Sequence, residues 1–438
     1  MLSVLNLGRL GIPLDAGPVT SSDEQDLRRF AAGADWDYGG SPVVASTRDP
    51  PRAARSTALE NVARPREVDT PVLPRLESED PDPHSLWTPR TVSLKELQSR
   101  LRPDDLFLEY LLGERETLLF AITNRSIDVL KLGIGRRDLR GLITLARGTI
   151  AGPLGAEEDD GWRAPLRRLY RELILPAEAA GFLSKKRRLL VAPHGELHYV
   201  PFQALLDSRD TFLVEHYAVG YLPSASVWAV LPSPITDLAE TSVLAVAPWE
   251  QGLQASGAEV RRIGKIYGER ALVLRGDAAT EDRFRAEVGA YDILHLATMG
   301  VLNRVNPLYS HVVLRPGDLE DGKLEVHEVF GLGLSGSLVV LSACETGLSS
   351  GALADVPSGD EWVGLVRAFL QAGAAGVVAS LWQVDDEATE ALMVSFYRQL
   401  AAGAASVDAL AEAQRMMIRD PAMAHPYQWA AFVLTGSP

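Results

Sequence analysis

From Thr91 onward the apolar positions follow two patterns. Short, almost continuously apolar runs cover Arg188–Ala192, Ser242–Ala247, Tyr291–Thr298, Ser337–Ala343 and Gly376–Leu381. Between most of them, 3.6-residue spacing predicts helices over Ser256–Gly268, Thr280–Val288, Glu361–Ala372 and Asp386–Ala402. Strands apolar at nearly every position, alternating with helices, predict a parallel sheet covered on both faces. Upstream, Val92–Leu101 predicts a short helix with Ser93 near its N-cap. Leu106–Leu112, Thr117–Thr123 and Ile127–Leu132 predict an antiparallel meander, followed by amphipathic helices over Leu139–Gly148 and Trp162–Leu173. The fold class is therefore α/β. A sheet-and-helix domain is expected over residues 181–438, behind a smaller α+β subdomain at 91–180. No fixed-period repeat is visible.

The first 90 residues carry neither period. They hold 11 of the 27 prolines and no lysine. This composition predicts a flexible arm. Within it Met1–Leu14 and Asp26–Trp36 could dock on the body or on a partner. Six arginines lie at Arg48, Arg52, Arg55, Arg64, Arg66 and Arg75.

Charge and composition narrow the function classes. The hydrophobic fraction is 46% and the net charge −15, which suits a globular chain and disfavours nucleic acid as a partner. The run Lys185-Lys-Arg-Arg188 reads as a solvated edge. No run of about 18 uncharged apolar residues is present, so no membrane span is expected. The opening residues lack the basic and apolar regions of a secretion signal. The single cysteine excludes an intrachain disulfide and a cysteine-based zinc site, and fits a reducing cytoplasm. No metal-ligand spacing appears, and no cofactor is expected. Gly331-Leu-Gly-Leu-Ser-Gly336 precedes a strand instead of following one, which does not support a dinucleotide loop.

Two strand ends hold the candidate chemistry. Tyr291–Thr298 runs into Met299-Gly300, and Leu338–Ala343 runs into Cys344-Glu-Thr-Gly347. Sites in open α/β sheets form beyond the carboxyl ends of the strands. A cysteine there can present a thiolate nucleophile, or it can close the strand as a small buried hydrophobe.

Four blocks resemble the landmarks of CHAT domains, caspase-like cysteine peptidases related to separase. They are Pro193-His-Gly-Glu-Leu-His-Tyr-Val-Pro-Phe-Gln-Ala-Leu205, His295-Leu-Ala-Thr-Met-Gly300, Leu341-Ser-Ala-Cys-Glu-Thr-Gly347 and Ala379-Ser-Leu-Trp-Gln-Val-Asp-Asp386. His425–Gly436 resembles the family's closing strand, so the likeness covers roughly Thr91–Gly436. It implies a caspase-like, parallel-rich sheet flanked by helices. It also implies a Cys–His dyad with Cys344 as nucleophile and an oxyanion hole from the backbone N–H groups of Gly300 and Cys344.

The chain departs from that pattern at the dyad histidine. Met299 stands there, 45 residues before the cysteine. Methionine moves no proton, though it fills about the same space as histidine. His295 lies about 13 Å away along the same strand face, beyond hydrogen-bond reach. His194, His198 and His311 are further histidines whose distance to Cys344 is open.

Asp386 resembles the acidic residue with which separases receive an arginine, and Asp385 lies beside it. The same pair can serve only to start the helix at Asp386. Asp360 and Glu361 carry that helix-start reading as well.

Two functions are expected. One is a caspase-like endopeptidase of a bacterial defence or cell-death system, inactive or nearly so with Met299 in place. The other is a pseudo-peptidase that binds a peptide or partner in the old substrate groove. Family resemblance implies a protein substrate such as a gasdermin-like pore-former. The arginine-rich arm is a second candidate occupant of the groove.

Overall fold

The computed structural model describes residues 91–150, 160–234, 240–249, 254–301, 303, 306–342, 344–345 and 360–438. The 1–90 arm, with both of its docking pieces, and the Thr346–Gly347 turn lie outside them.

The large sheet contains β1 (Asp105–Leu112), β2 (Thr117–Ile122), β3 (Ile127–Leu132), β4 (Arg188–Ala192), β5 (Ala218–Tyr221), β6 (Val243–Ala247), β7 (Ala271–Arg275) and β8 (Ile293–Leu296). Further along the chain, β12 (Leu338–Leu341), β14 (Gly376–Ser380) and β15 (Phe432–Gly436) complete it. Its eleven strands are ordered β3-β2-β1-β4-β5-β15-β14-β12-β8-β6-β7. A second sheet holds β9 (Met299–Val301), β10 (His311–Val313), β11 (Lys323–Glu325) and β13 (Cys344–Glu345), in the order β11-β10-β9-β13.

The large sheet is two parallel blocks of opposite sense. β14, β12, β8, β6 and β7 run one way, and β1, β4, β5 and β15 run the other. The antiparallel pairing of β14 with β15 forms the seam. The sheet is parallel-rich as expected, but strand direction is not encoded in an apolar run, and β4 runs opposite to β6, β8, β12 and β14. The expected boundary near residue 180 is not a break in the sheet either. β1 pairs in parallel with β4 over Asp105↔Arg188 to Glu109↔Ala192.

Both faces are covered, which explains why strands apolar at every position are stable here. The main helices are α1 (Leu94–Arg100), α2 (Arg136–Ile150), α3 (Arg163–Leu173), α4 (Gln254–Tyr267), α5 (Glu281–Glu287), α6 (Asp360–Gln371), α7 (Asp386–Ala401) and α8 (Ser406–Arg419). Leu338 and Val340 of β12 join a core with Ile263 of α4 and Leu392 and Phe396 of α7. Val339 and Leu341 face the opposite core, with Phe284 of α5 and Leu365 and Phe369 of α6. Gly373 turns the chain from α6 into β14 at φ +103°, where a Cβ would collide with the Leu334 carbonyl. Ser93 caps α1 by accepting from the Glu96 N–H at 3.2 Å. Among the described residues, no helix is long and apolar enough to cross a membrane.

Candidate active site

Two neighbouring strands leave the large sheet together. β8 and β12 are parallel partners, with Leu296 opposite Leu341. Three residues further on each chain they pair again in the small sheet, Met299 opposite Cys344 and Gly300 opposite Glu345. Parallel neighbours stand about 4.8 Å apart, so the backbones at 299 and 344 are side by side. β9 is also held by β10, through Val301↔His311 and Gly300↔Val312. The Thr298 hydroxyl donates to the Val313 carbonyl at 2.5 Å, fixing the step between β8 and β9. Met299 is half-buried and Gly300 buried.

Asp385 and Asp386 follow β14, the strand beside β12. Asp385 is the N-cap of α7, accepting from Glu387 N–H at 3.0 Å and Ala388 N–H at 3.2 Å. Asp386 opens the helix and is half-buried. Burial raises its carboxyl above the ordinary aspartate value, and the charges of Asp385 and Glu259 add to the rise.

His295 is engaged elsewhere. It is fully buried, with Nε2 3.1 Å from Glu259 Oε1 and Nδ1 3.0 Å from the Tyr397 hydroxyl. These partners sit on α4 and α7. Sequence reasoning missed both, although Glu259 adjoins Val260 and precedes Ile263 by four on the apolar stripe of α4. His194 sits at the carboxyl end of β4, in the block of opposite sense, and its Nδ1 accepts from Leu112 N–H at 3.0 Å. Burial, with Arg136 nearby, lowers its pKa to about 4. Burial and then the Arg367 charge lower that of His198 to about 3.

Arg147 was also missed. It lies on the buried stripe of α2 with Leu139, Ile143 and Ile150. Its guanidinium donates to the Tyr199 carbonyl at 3.4 Å and the Leu381 carbonyl at 3.1 Å. It also stacks over Tyr199 and Trp382, at 5.1 and 5.8 Å from their ring centres. It thereby ties the segment after β4 to the one after β14. A groove of about 730 Å³, lined by Arg167, Arg171, Tyr217 and others, shares no residue with these strand ends.

A family model of the CHAT domain matches residues 163–437. The chain belongs to the CHAT-domain family. Among curated proteins, this CHAT chain is similar to human tetratricopeptide repeat protein 28. The two are 27% identical over 337 residues, covering 63% of this chain and 13% of that protein. The mouse protein of the same name is 27% identical over 332 residues, with the same coverage. The chain thus spans about an eighth of the length of these relatives. Among solved structures, it is similar to the Saccharomyces cerevisiae separase–securin complex. The TM-score is 0.53 and the identity 9%, over 78% of this chain and 30% of that one. The likeness shows the fold, a caspase-like arrangement of sheet and helices.

Proposed function

We propose that this CHAT protein is a caspase-like cysteine endopeptidase in which Cys344 is the nucleophile and Met299 occupies the place of the general base. The backbone pairing of Cys344 with Met299 carries the reading. In this reading the N–H groups of Gly300 and Cys344 stabilise the oxyanion, and that electrostatic help survives loss of the base. A thiol of ordinary pKa, about 8.5, is a few per cent ionised at neutral pH. Acylation is therefore slow, and an amide turns over poorly because its amine leaves unprotonated. Asp386 is the candidate receptor for an arginine side chain, by a bidentate carboxylate–guanidinium pair. Asp385, already committed as a helix cap, would assist only by its charge. Membership of the family supports a place in bacterial defence or regulated cell death, in the cytoplasm, with a gasdermin-like pore-former as protein substrate. The arginine-rich arm is a second occupant we propose for the same groove.

The test is Met299→His, assayed on arginine-containing peptides. Cleavage should rise by roughly 10²–10⁴-fold, the usual worth of general acid–base help. Cys344→Ala in that background should abolish the gain. Equal rates with and without the histidine would remove position 299 from the mechanism. Met299 also favours a second reading, a pseudo-peptidase that captures a peptide or partner. Tight peptide capture without cleavage by either protein would select it.

A further inference from the structure

Beyond the strand that carries Met299, on the side away from Asp386, Arg315 is stacked on Trp249. We propose that these two residues form a subsite for an acidic side chain, aspartate or glutamate, on the leaving side of a bound peptide. This inference rests on the reading of Cys344 as the nucleophile and adds a second specificity contact to it.

The two sheets place the pair. The large sheet runs β14, β12, β8, β6, and the small sheet runs β13, β9, β10. β13 follows β12 and β9 follows β8 along the chain, so β10 takes the side of β9 that β6 takes of β8. Trp249 lies two residues past the end of β6, and Arg315 two residues past the end of β10. Their contact ties those ends together, with Arg315 Cζ 4.1 Å from the centre of the Trp249 ring. Burial alternates along the strands, as side chains do. Gly300, Val312 and Leu314 are buried, whereas Met299, Val301, Val313 and Arg315 are half-buried on the more open face. Continuing the β9–β10 register puts Val313 opposite Met299, beside the Thr298 hydroxyl that donates to its carbonyl. Arg315 is therefore a diagonal neighbour of Met299 on the same face, a relation that spans about 7–8 Å.

The guanidinium is fixed at its base and unused at its fork. Nε donates to the Pro248 carbonyl at 3.0 Å. Among the described residues, the two terminal nitrogens make no hydrogen bond, and the one carboxylate within 4 Å is that of Asp277, fully exposed at 3.8 Å. Two parallel N–H donors match a carboxylate, and a side chain already held by a stack and a hydrogen bond has little freedom left to lose. Asp385 and Asp386 stand at the opposite end of the row of strands, after β14. The strand ends thus carry negative charge on one side of Cys344 and an open positive fork on the other.

The direction of the peptide follows from the chemistry. The leaving amine departs where its general acid stands, and in this reading that place is 299. The segment after the cut then crosses β9 and β10, while the arginine before it points toward Asp386. From Cys344 to β10 is two strand spacings, about 10 Å, which an extended peptide covers in about three residues. The favoured acid is the second or third residue after the cut.

The test uses the full Met299→His chain and peptides of one sequence with a single arginine. Each of the four positions after that arginine carries glutamate or glutamine in turn. Glutamate at the second or third position should raise kcat/KM about fivefold over glutamine, the scale of a partly exposed ion pair. This ratio is read within one protein, so a general loss of folded enzyme does not move it. Arg315→Gln should bring the ratio to about one, and Arg315→Glu should favour lysine at that position instead. Trp249→Leu, which removes the stack, should lower the ratio part of the way. Equal rates for glutamate and glutamine throughout, a preference at another position, or one that persists in Arg315→Gln overturns the subsite and leaves the nucleophile reading standing. Failure to cleave any of the peptides overturns both.

Discussion

Met299 is the parallel register partner of Cys344, three residues beyond the pairing of Leu296 with Leu341. The relation is set by strand register in two successive sheets and not by the shape of a loop. Exchange of histidine and methionine at 299 therefore changes the chemistry beside the cysteine with little demand on the backbone. Methionine is unbranched and adaptable, which suits a half-buried position.

His295 is expected to matter for folding and not for thiol reactivity. His295→Leu replaces the ring whose Nε2 lies 3.1 Å from the buried Glu259 carboxylate by an apolar side chain, a loss of about 3–5 kcal/mol. His295→Gln, which can still donate, should lose less. Urea unfolding measures the first effect. Native alkylation of Cys344 should match the parent in the glutamine variant, and a collapse of that rate at intact stability would place His295 in the thiol chemistry.

Asp386 sets a pH dependence if it receives arginine. Burial raises its pKa, so on acidification it neutralises before an exposed aspartate would. In the Met299→His background, kcat/KM for arginine peptides should therefore fall on an acid limb lying above pH 3.8. Asp386→Asn should raise KM about 10- to 100-fold, the worth of a charged hydrogen-bonded pair, and flatten that limb. An unchanged KM would leave Asp386 as a helix-start residue alone.

Arg147 should behave as a strut. Arg147→Ala strips donors from the Tyr199 and Leu381 carbonyls and removes a stack between Tyr199 and Trp382. The expected cost is about 2–4 kcal/mol, from unmet polar groups and lost packing. It should appear as a lower urea midpoint at constant slope. Lysine at 147 should restore part of the loss, because its ammonium can reach a carbonyl but cannot stack as a plane.

The sequence exposed the strands buried on both faces, because such strands are apolar without interruption. Arg188–Ala192 and Gly376–Ser380 are found within a residue of their predicted ends. It hid β9, β10 and β11, which are three residues each and too short to show a period. It also hid β7, an edge strand whose pattern is mostly half-buried. The antiparallel seam between β14 and β15 could not be read either, since an apolar run carries no direction. The strand ends drew attention to 299, 300 and 344, and the resemblance to CHAT domains implied their roles. The pairing of His311 with Val301 and of Glu325 with His311 arises from a cross-strand register that no local pattern announces.

The continuity of β1 with β4 redefines what can be cut out of this chain. The family match begins at residue 163, inside α3, after β1, β2 and β3 have already been laid down. A fragment begun there would bare the long side of β4, five consecutive buried residues with unpaired backbone amides and carbonyls. Such an edge is a template for self-association. The smallest portion that keeps β4 covered on this side therefore starts near α1, about seventy residues ahead of where the family match begins.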